Sequence, residues 1–377
     1  MGSDNAGLDQ LKAAPWDRFA GWDRWAARIL LLLVTALLVL AAIAPLSASL
    51  DGKPSEVPSL IGDGAPDEQT ESERDEDLAF YDRVIERIGH GENYYDFIVE
   101  EQRARDYPVR PGLAVRLPTL AWIHASLGEP AMIALAIALL FACIWAWWNR
   151  LGEEPGGVRF RLLGTALMAM GGSLGLNRSF FVLHELWAGM LIALAFGLHR
   201  PGRWGAALFV AALALALREL VLPFVLLMAA MAAWRKDWRE ATAWIMLVAV
   251  FAAIMVWHLS LIAVQEVPSD PVGPDWLVLR GLSGWLGNIV LSSNLRLLPH
   301  ELASPVVILM ALGWAGWKSS AGTTGTFLYL GYGLAFMLAG RANNFYWGAV
   351  VAPAMFIGLA FLPMALPSLV RAALGKA

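Results

Sequence analysis

The sequence predicts an all-α polytopic membrane protein, and three observations carry that expectation. Of its 377 residues 58% are hydrophobic and only 16% are charged, a balance that suits a lipid environment better than water. Apolar runs near the roughly 20 residues needed to cross a hydrocarbon core recur along the chain. Basic residues then collect in every second loop, as the positive-inside rule requires of alternating crossings.

The apolar runs number about ten, at 25–46, 130–148, 162–176, 186–198, 204–217, 220–234, 241–264, 302–317, 326–339 and 347–370. Several are short for a full crossing, so they extend into flanking polar residues or end where protein rather than lipid covers them. Lys12, Arg18, Arg24 and Arg28 lie in or before the start of the first run and an acidic loop follows it, which places the N-terminus in the cytoplasm. Arg150, Arg159 and Arg161, then Arg200 and Arg203, then Arg235, Lys236 and Arg239, then Lys318, and finally Arg371 and Lys376 all fall on the same side. Residues 1–24 therefore read as a cytoplasmic segment and 25–377 as a single transmembrane domain with both termini inside.

Charge and cysteine content exclude other classes. The net charge is −4, but residues 51–106 hold 17 acidic against 6 basic side chains, which argues against nucleic acid as a partner. The one cysteine, Cys143, lies inside an apolar run, which excludes an internal disulfide framework and a cysteine-based zinc site. Neither HExxH nor a nucleotide-binding glycine loop occurs.

Two outer segments are long enough to have structure of their own. The first, 51–129, opens as a Pro/Gly/acid-rich linker and then changes at Asp77: Leu78, Tyr81, Val84, Ile85 and Ile88 recur at helical spacing until Gly89 and Gly91 stop them. The second, 265–301, carries the stripe Leu282, Trp285, Leu286, Ile289, Val290, which suits a helix lying flat in the outer interface.

Ionisable residues within membrane segments are costly, so their placement is informative. Here they gather toward the outside: Asp75, Asp77, Arg110, Arg116, Arg178, His184, Glu185, Arg218, Glu219, Arg341 and Asn344. Arg218 and Glu219 interrupt two apolar runs at a minimal turn; they are either part of a site or an ion pair closing a tight hairpin. His184 and Glu185 stand at another short turn, where they either serve chemistry or hydrogen-bond loop backbone. Neighbours on a helix point about 100° apart, so that pair alone does not make a metal site. Arg110, Arg116 and Arg341 are candidates for holding a phosphate by forked, charge-assisted hydrogen bonds; arginines near helix ends also reach for lipid headgroups. Tyr94, Tyr95, Tyr107, Trp122, Tyr346 and Trp347 fit either sugar faces or an interfacial aromatic belt.

Several segments of the outer loops then form a pattern. Asp75-Glu76-Asp77 leads into Leu78-Ala79-Phe80-Tyr81, followed by Gly91-Glu92-Asn93-Tyr94-Tyr95, Tyr107-Pro108-Val109-Arg110-Pro111 and Arg116-Leu117-Pro118-Thr119-Leu120-Ala121-Trp122; far downstream comes Arg341-Ala342-Asn343-Asn344-Phe345-Tyr346-Trp347. This order resembles the polyprenyl-phosphate-dependent integral-membrane glycosyltransferases of the GT-C superfamily, such as aminoarabinose transferases and protein O-mannosyltransferases. The resemblance implies a GT-C-like fold whose first outer loop carries short interfacial helices. It also implies inverting sugar transfer from a polyprenyl-phosphate carrier to a glycan, lipid or protein acceptor, at the periplasmic or extracellular face of what is expected to be a bacterial inner membrane. Asp77 matches the family's general base. Tyr81, Tyr94, Tyr95, Arg110, Arg116, His184, Glu185, Arg218, Glu219, Arg341, Asn344 and Tyr346 are the expected substrate-binding residues. Asp75 and Asp77 form a DxD that binds a divalent metal in some members. The family's acidic-lysine-proline-proline signature is missing, and Arg110-Pro111 stands in its place.

Two readings from other classes stay open at this stage. A secondary transporter or lipid-carrier flippase would use helices interrupted by Pro223 and by Gly171, Gly172 and Gly175. A non-catalytic assembly subunit would use the acidic loop to hold a partner.

Overall fold

A computed structural model of the chain describes residues 15–46, 76–273 and 275–376, apart from the side chains at 76, 77, 342 and 343. The described residues are helical throughout, with no strand among them. Each of the ten apolar runs coincides with helix: α1 (Arg24–Ile43), α4 (Thr119–Glu153), α5 (Gly157–Gly172), α6 (His184–Leu198), α7 (Gly205–Leu217), α8 (Leu222–Trp234), α9 (Trp238–Ala263), α11 (His300–Gly316), α12 (Ser320–Leu338) and α14 (Gly358–Leu374). Shorter pieces are α2 (Glu76–Gly89), α3 (Tyr94–Arg103), α10 (Gly281–Leu291) and α13 (Ala352–Met355).

Four stretches are long and apolar enough to cross a membrane: Arg24–Ile43, Gly112–Glu153, Trp238–Ala263 and Ala352–Leu374. Most of the others are shorter. At about 1.5 Å per residue a 13-residue helix such as α7 reaches about 20 Å, less than a core of about 30 Å. Burial accounts for the shortness of α6, which is enclosed by its neighbours over nearly its whole surface and does not have to match a bilayer. Backbones approach closely where side chains are absent. A Cβ built at Gly313 would meet the Gly358 carbonyl oxygen at 1.8 Å, and one at Gly189 the Ala349 oxygen at 2.0 Å. Small residues thus set the distance between helices, a feature of packing in lipid, where apolar burial alone does not drive helices together.

Three boundaries differ from the sequence reading. Helix α4 begins at Thr119 inside the segment expected to be loop to 129, and the chain bends within it at Gly128 (φ 73°), two residues before Pro130. The run 347–370 is broken into a 3-10 stretch, Ala342–Val350, then α13 and α14. The stripe in 265–301 does form a helix, α10, but not one lying flat in an interface. Trp285, Leu286, Asn288, Ile289 and Val290 are all buried, α10 packs against α11, α12 and the Ala342–Val350 stretch, and Gly284 and Gly287 lie close against the Phe336 and Leu46 carbonyls. An apolar stripe reads the same whether lipid or protein covers it.

Helices α2 and α3 sit on one end of the bundle, against α4 and α9, and form a cap there. The periodicity that starts α2 buries Leu78, Phe80 and Val84, and positive-φ Gly91 (91°) ends the turn that follows it. The cap is clasped to the segment after α9. The Val109 amide donates to the Pro271 carbonyl at 3.0 Å and the Gly273 amide to the Arg110 carbonyl at 2.7 Å; Arg103 Nε donates to Asp270 Oδ1 at 2.6 Å. At the opposite end, residues 15–22 tuck under the bundle: the Arg18 amide donates to the Gly316 carbonyl at 2.9 Å, and the Lys318 amide to the Trp16 carbonyl at 2.8 Å.

Candidate functional site

Charged residues from three separate turns meet beneath the cap. Arg116 lies between the Gly112–Ala114 3-10 turn and α4, His184 and Glu185 open α6, and Arg218 and Glu219 form the tight turn between α7 and α8. Arg218 Nε is 2.6 Å from Glu185 Oε1, and its Nη1 also contacts Glu219 Oε1. The short turn therefore does contain the pair expected from sequence, but Arg218 reaches a second helix as well. Arg116 stands over both acids, with Nη2 3.7 Å from Glu185 and Nη1 3.6 Å from Glu219. The inaccessible Arg218–Glu185 pair holds itself in place, because removing either member leaves the other uncompensated in a medium that solvates it poorly. Arg218 and Glu185 are almost inaccessible, whereas the side chains of Arg116 and Glu219 are 17% and 31% exposed. Those two are the members of the cluster within reach of a ligand.

The cap positions Arg116 from above. Arg116 Nε donates to Tyr81 Oη at 3.2 Å, and the Tyr81 ring meets the His184 ring edge-on at 5.3 Å. The buried Tyr94 hydroxyl donates to the Arg116 carbonyl at 2.6 Å. The Val115 carbonyl accepts from His258 Nε2 at 3.1 Å. That bond fixes the neutral tautomer of His258, so its Nδ1 accepts from Tyr95 Oη, 3.0 Å away. Helices α3 and α9 thus hold the Arg116 backbone on both sides.

The Ala342–Val350 stretch completes the site. Asn344 Oδ1 accepts from the Arg341 amide at 3.0 Å and its Nδ2 donates to Tyr346 Oη at 3.1 Å. The Tyr346 phenol lies within electrostatic range of Arg116 and of Arg341, and Arg341 Nη2 lies against Gly273 beside Pro108. Asp77 stands in the first turn of α2, four residues before Tyr81, which puts the two positions on the same helix face; its side chain lies outside the described residues, as does all of Asp75. Among the described residues no group of three His, Cys, Asp or Glu side chains could hold a metal ion.

Of the residues singled out from sequence, the structure thus brings together Tyr81, Arg116, His184, Glu185, Arg218 and Glu219, with Asn344 and Tyr346 joined to each other nearby and the Arg341 guanidinium against Gly273. Tyr94 and Tyr95 support that cluster rather than join it. Arg110 is elsewhere: its Nη2 donates to the Pro268 and Asp270 carbonyls at 2.9 and 3.4 Å, so it serves the clasp between the cap and the segment after α9. His184 is buried, with its ring against Tyr81 and in contact with the backbone of Leu117 and Val182. Two residues escaped the sequence reading. His258 is a single histidine in an apolar run, where nothing local marks it. Gln102 lines a recess with Tyr81, Arg116 and His184, and no motif announces it.

Comparison with known protein families, with curated proteins and with solved structures finds no match.

Proposed function

We propose that the chain is an integral-membrane glycosyltransferase with about ten crossings, which moves a sugar from a polyprenyl-phosphate carrier to an acceptor at the outer face of the membrane. One observation supports this reading above the others. Loops far apart in sequence deliver two guanidinium groups, two carboxylates and Tyr81 to one place, and Tyr81 stands one helical turn from Asp77.

In this reading Asp77 acts as general base. It takes the acceptor's proton as the acceptor oxygen or nitrogen bonds to the anomeric carbon, from the face opposite the leaving group, which inverts that centre. The bond from the anomeric carbon to the phosphate oxygen breaks, and its electron pair leaves with the carrier phosphate. Arg116, with Arg341 across Tyr346, stabilises the charge that develops on that oxygen. Glu185 and Arg218 hold Arg116 in register rather than meet substrate. Arg110, bound into the clasp, has no part in this.

The test is sugar transfer by purified protein supplied with a panel of polyprenyl-phosphate sugars and acceptors. Wild-type protein is expected to turn over and Asp77→Asn to lose roughly 10²- to 10⁴-fold in rate while unfolding at the same temperature. A transporter, flippase or assembly subunit would tolerate Asp77→Asn, and an absence of turnover with every donor would overturn the reading.

A further inference from the structure

The recess under the cap contains a polar atom that the fold leaves without a partner. Gln102, in the last turn of α3, is only 6% exposed, and its amide oxygen is buried with no hydrogen-bond donor. Buried oxygens in folded proteins are nearly always paired, so such an atom calls for a donor from outside the fold. Phe80, Val84 and Ile98 wall the recess, and Arg116 borders it; its enclosed part has room for about one water-sized group.

The chemistry of the lining selects the occupant. The Gln102 oxygen only accepts and the Arg116 guanidinium only donates. A group seated here has to donate to the first, and one that also accepts can meet the second. A phosphate oxygen cannot donate to Gln102, an ammonium is repelled by Arg116, and a hydroxyl, like the water it would displace, both donates and accepts within the available space. The apolar and aromatic walls suit the C–H face of a ring that carries such a hydroxyl.

We propose that this recess is a hydroxyl-reading subsite, in which the Gln102 amide oxygen accepts a hydrogen bond from one hydroxyl of a sugar ring. The identity of the ring as a sugar rests on the transferase reading. The hydroxyl belongs either to the carrier-linked sugar or to a sugar acceptor.

The full chain in lipid nanodiscs is titrated with methyl hexosides as acceptor probes and with polyprenyl-phosphate hexoses as donor probes, together with monodeoxy forms of whichever binds. Gln102→Leu is expected to weaken one class of probe roughly tenfold or more, and to stop discriminating the parent hexose from the deoxy form that lacks the critical hydroxyl; Gln102→Glu, which keeps an acceptor oxygen, is expected to recover part of the loss. The class affected identifies the source of the hydroxyl. Equal binding by wild type and Gln102→Leu, as expected if the oxygen serves a structural water only, overturns the subsite, and so does a failure of every probe to bind wild type. Should Gln102→Leu not fold, Gln102→Met makes the same comparison. Turnover with an unchanged KM in Gln102→Leu would sink the subsite and leave the transferase; hydroxyl-dependent binding without turnover by any donor would do the reverse.

Discussion

Two buried ionic clusters sit at opposite ends of this helix bundle, made from the same residue types, and they differ in where their charges are satisfied. The cluster away from the cap holds its central acid by direct hydrogen bonds. Glu240, wholly buried, accepts from His199 Nε2 at 2.7 Å, from Arg235 at 2.8 Å and from the Trp244 indole at 3.2 Å. Arg150, also fully buried, pairs with Glu154 at 2.8 Å and caps the Phe196 and His199 carbonyls at the end of α6. These contacts tie together the turns that join α4 to α5, α6 to α7 and α8 to α9. The cap-end cluster, by contrast, holds Arg116 3.6 to 3.7 Å from its acids, at ion-pair rather than hydrogen-bond distance, and leaves Arg116 and Glu219 partly exposed beside a recess.

That contrast is open to direct attack. The largest expected effect is at the open cluster: Arg116→Met is expected to lower transfer about 10²- to 10³-fold, with little change in the unfolding temperature, because it removes a cation aimed at developing charge. A loss of stability matching the loss of rate would make Arg116 another structural tie. Next comes the opposite cluster. Glu240→Ala leaves a buried histidine and Arg235 without their acid and is expected to cost about 3–5 kcal/mol of stability, while transfer per folded molecule stays as in wild type; denaturation followed in detergent alongside the rate measures both. His258→Phe is smaller and sharpens the comparison, since it leaves the Val115 carbonyl and the Tyr95 hydroxyl unpaired. About 1–3 kcal/mol of stability is expected to go together with a reduced rate, and a rate untouched by His258→Phe would show that Arg116 needs no such support.

The smallest effect is at the clasp. The Arg103 guanidinium, by its hydrogen bonds, holds the Asp270 carboxyl below the usual carboxylate range. The sign follows from linkage: a depressed pKa gives stability that is fully present above the unfolded value, about 3.9, and is lost as pH falls through the lower folded value. Protection of the amides in 265–273, taken relative to their intrinsic exchange rates, is thus expected to hold at neutral pH and to fall only at acid pH below the ordinary aspartate range, and Asp270→Asn is expected to lower it at every pH. Unchanged exchange in that variant would remove Asp270 from the clasp.

How much of this was legible in the sequence depends on whether a feature is local. Apolar runs are local, and all ten became helix; so is the stop of α2 at Gly89. The gathering of His184, Glu185, Arg218 and Glu219 was legible for a simple reason: costly charges at two short turns on the same side have few places to go except toward each other. What covers a helix is not local, so α10 read as interfacial although the bundle encloses it. Arg110 read as a phosphate ligand because its role depends on the segment 268–273, more than 150 residues away. Glu240 and His199 were passed over within loops that read as basic and cytoplasmic, since burial cannot be seen from composition.

The most direct test is a structure of the chain with a polyprenyl phosphate bound. The account predicts the phosphate within hydrogen-bond distance of Arg116, on the Tyr346 and Arg341 side, with the Arg150–Glu240 end unchanged. A phosphate bound at the opposite end, or on the cap away from Arg116, would contradict it.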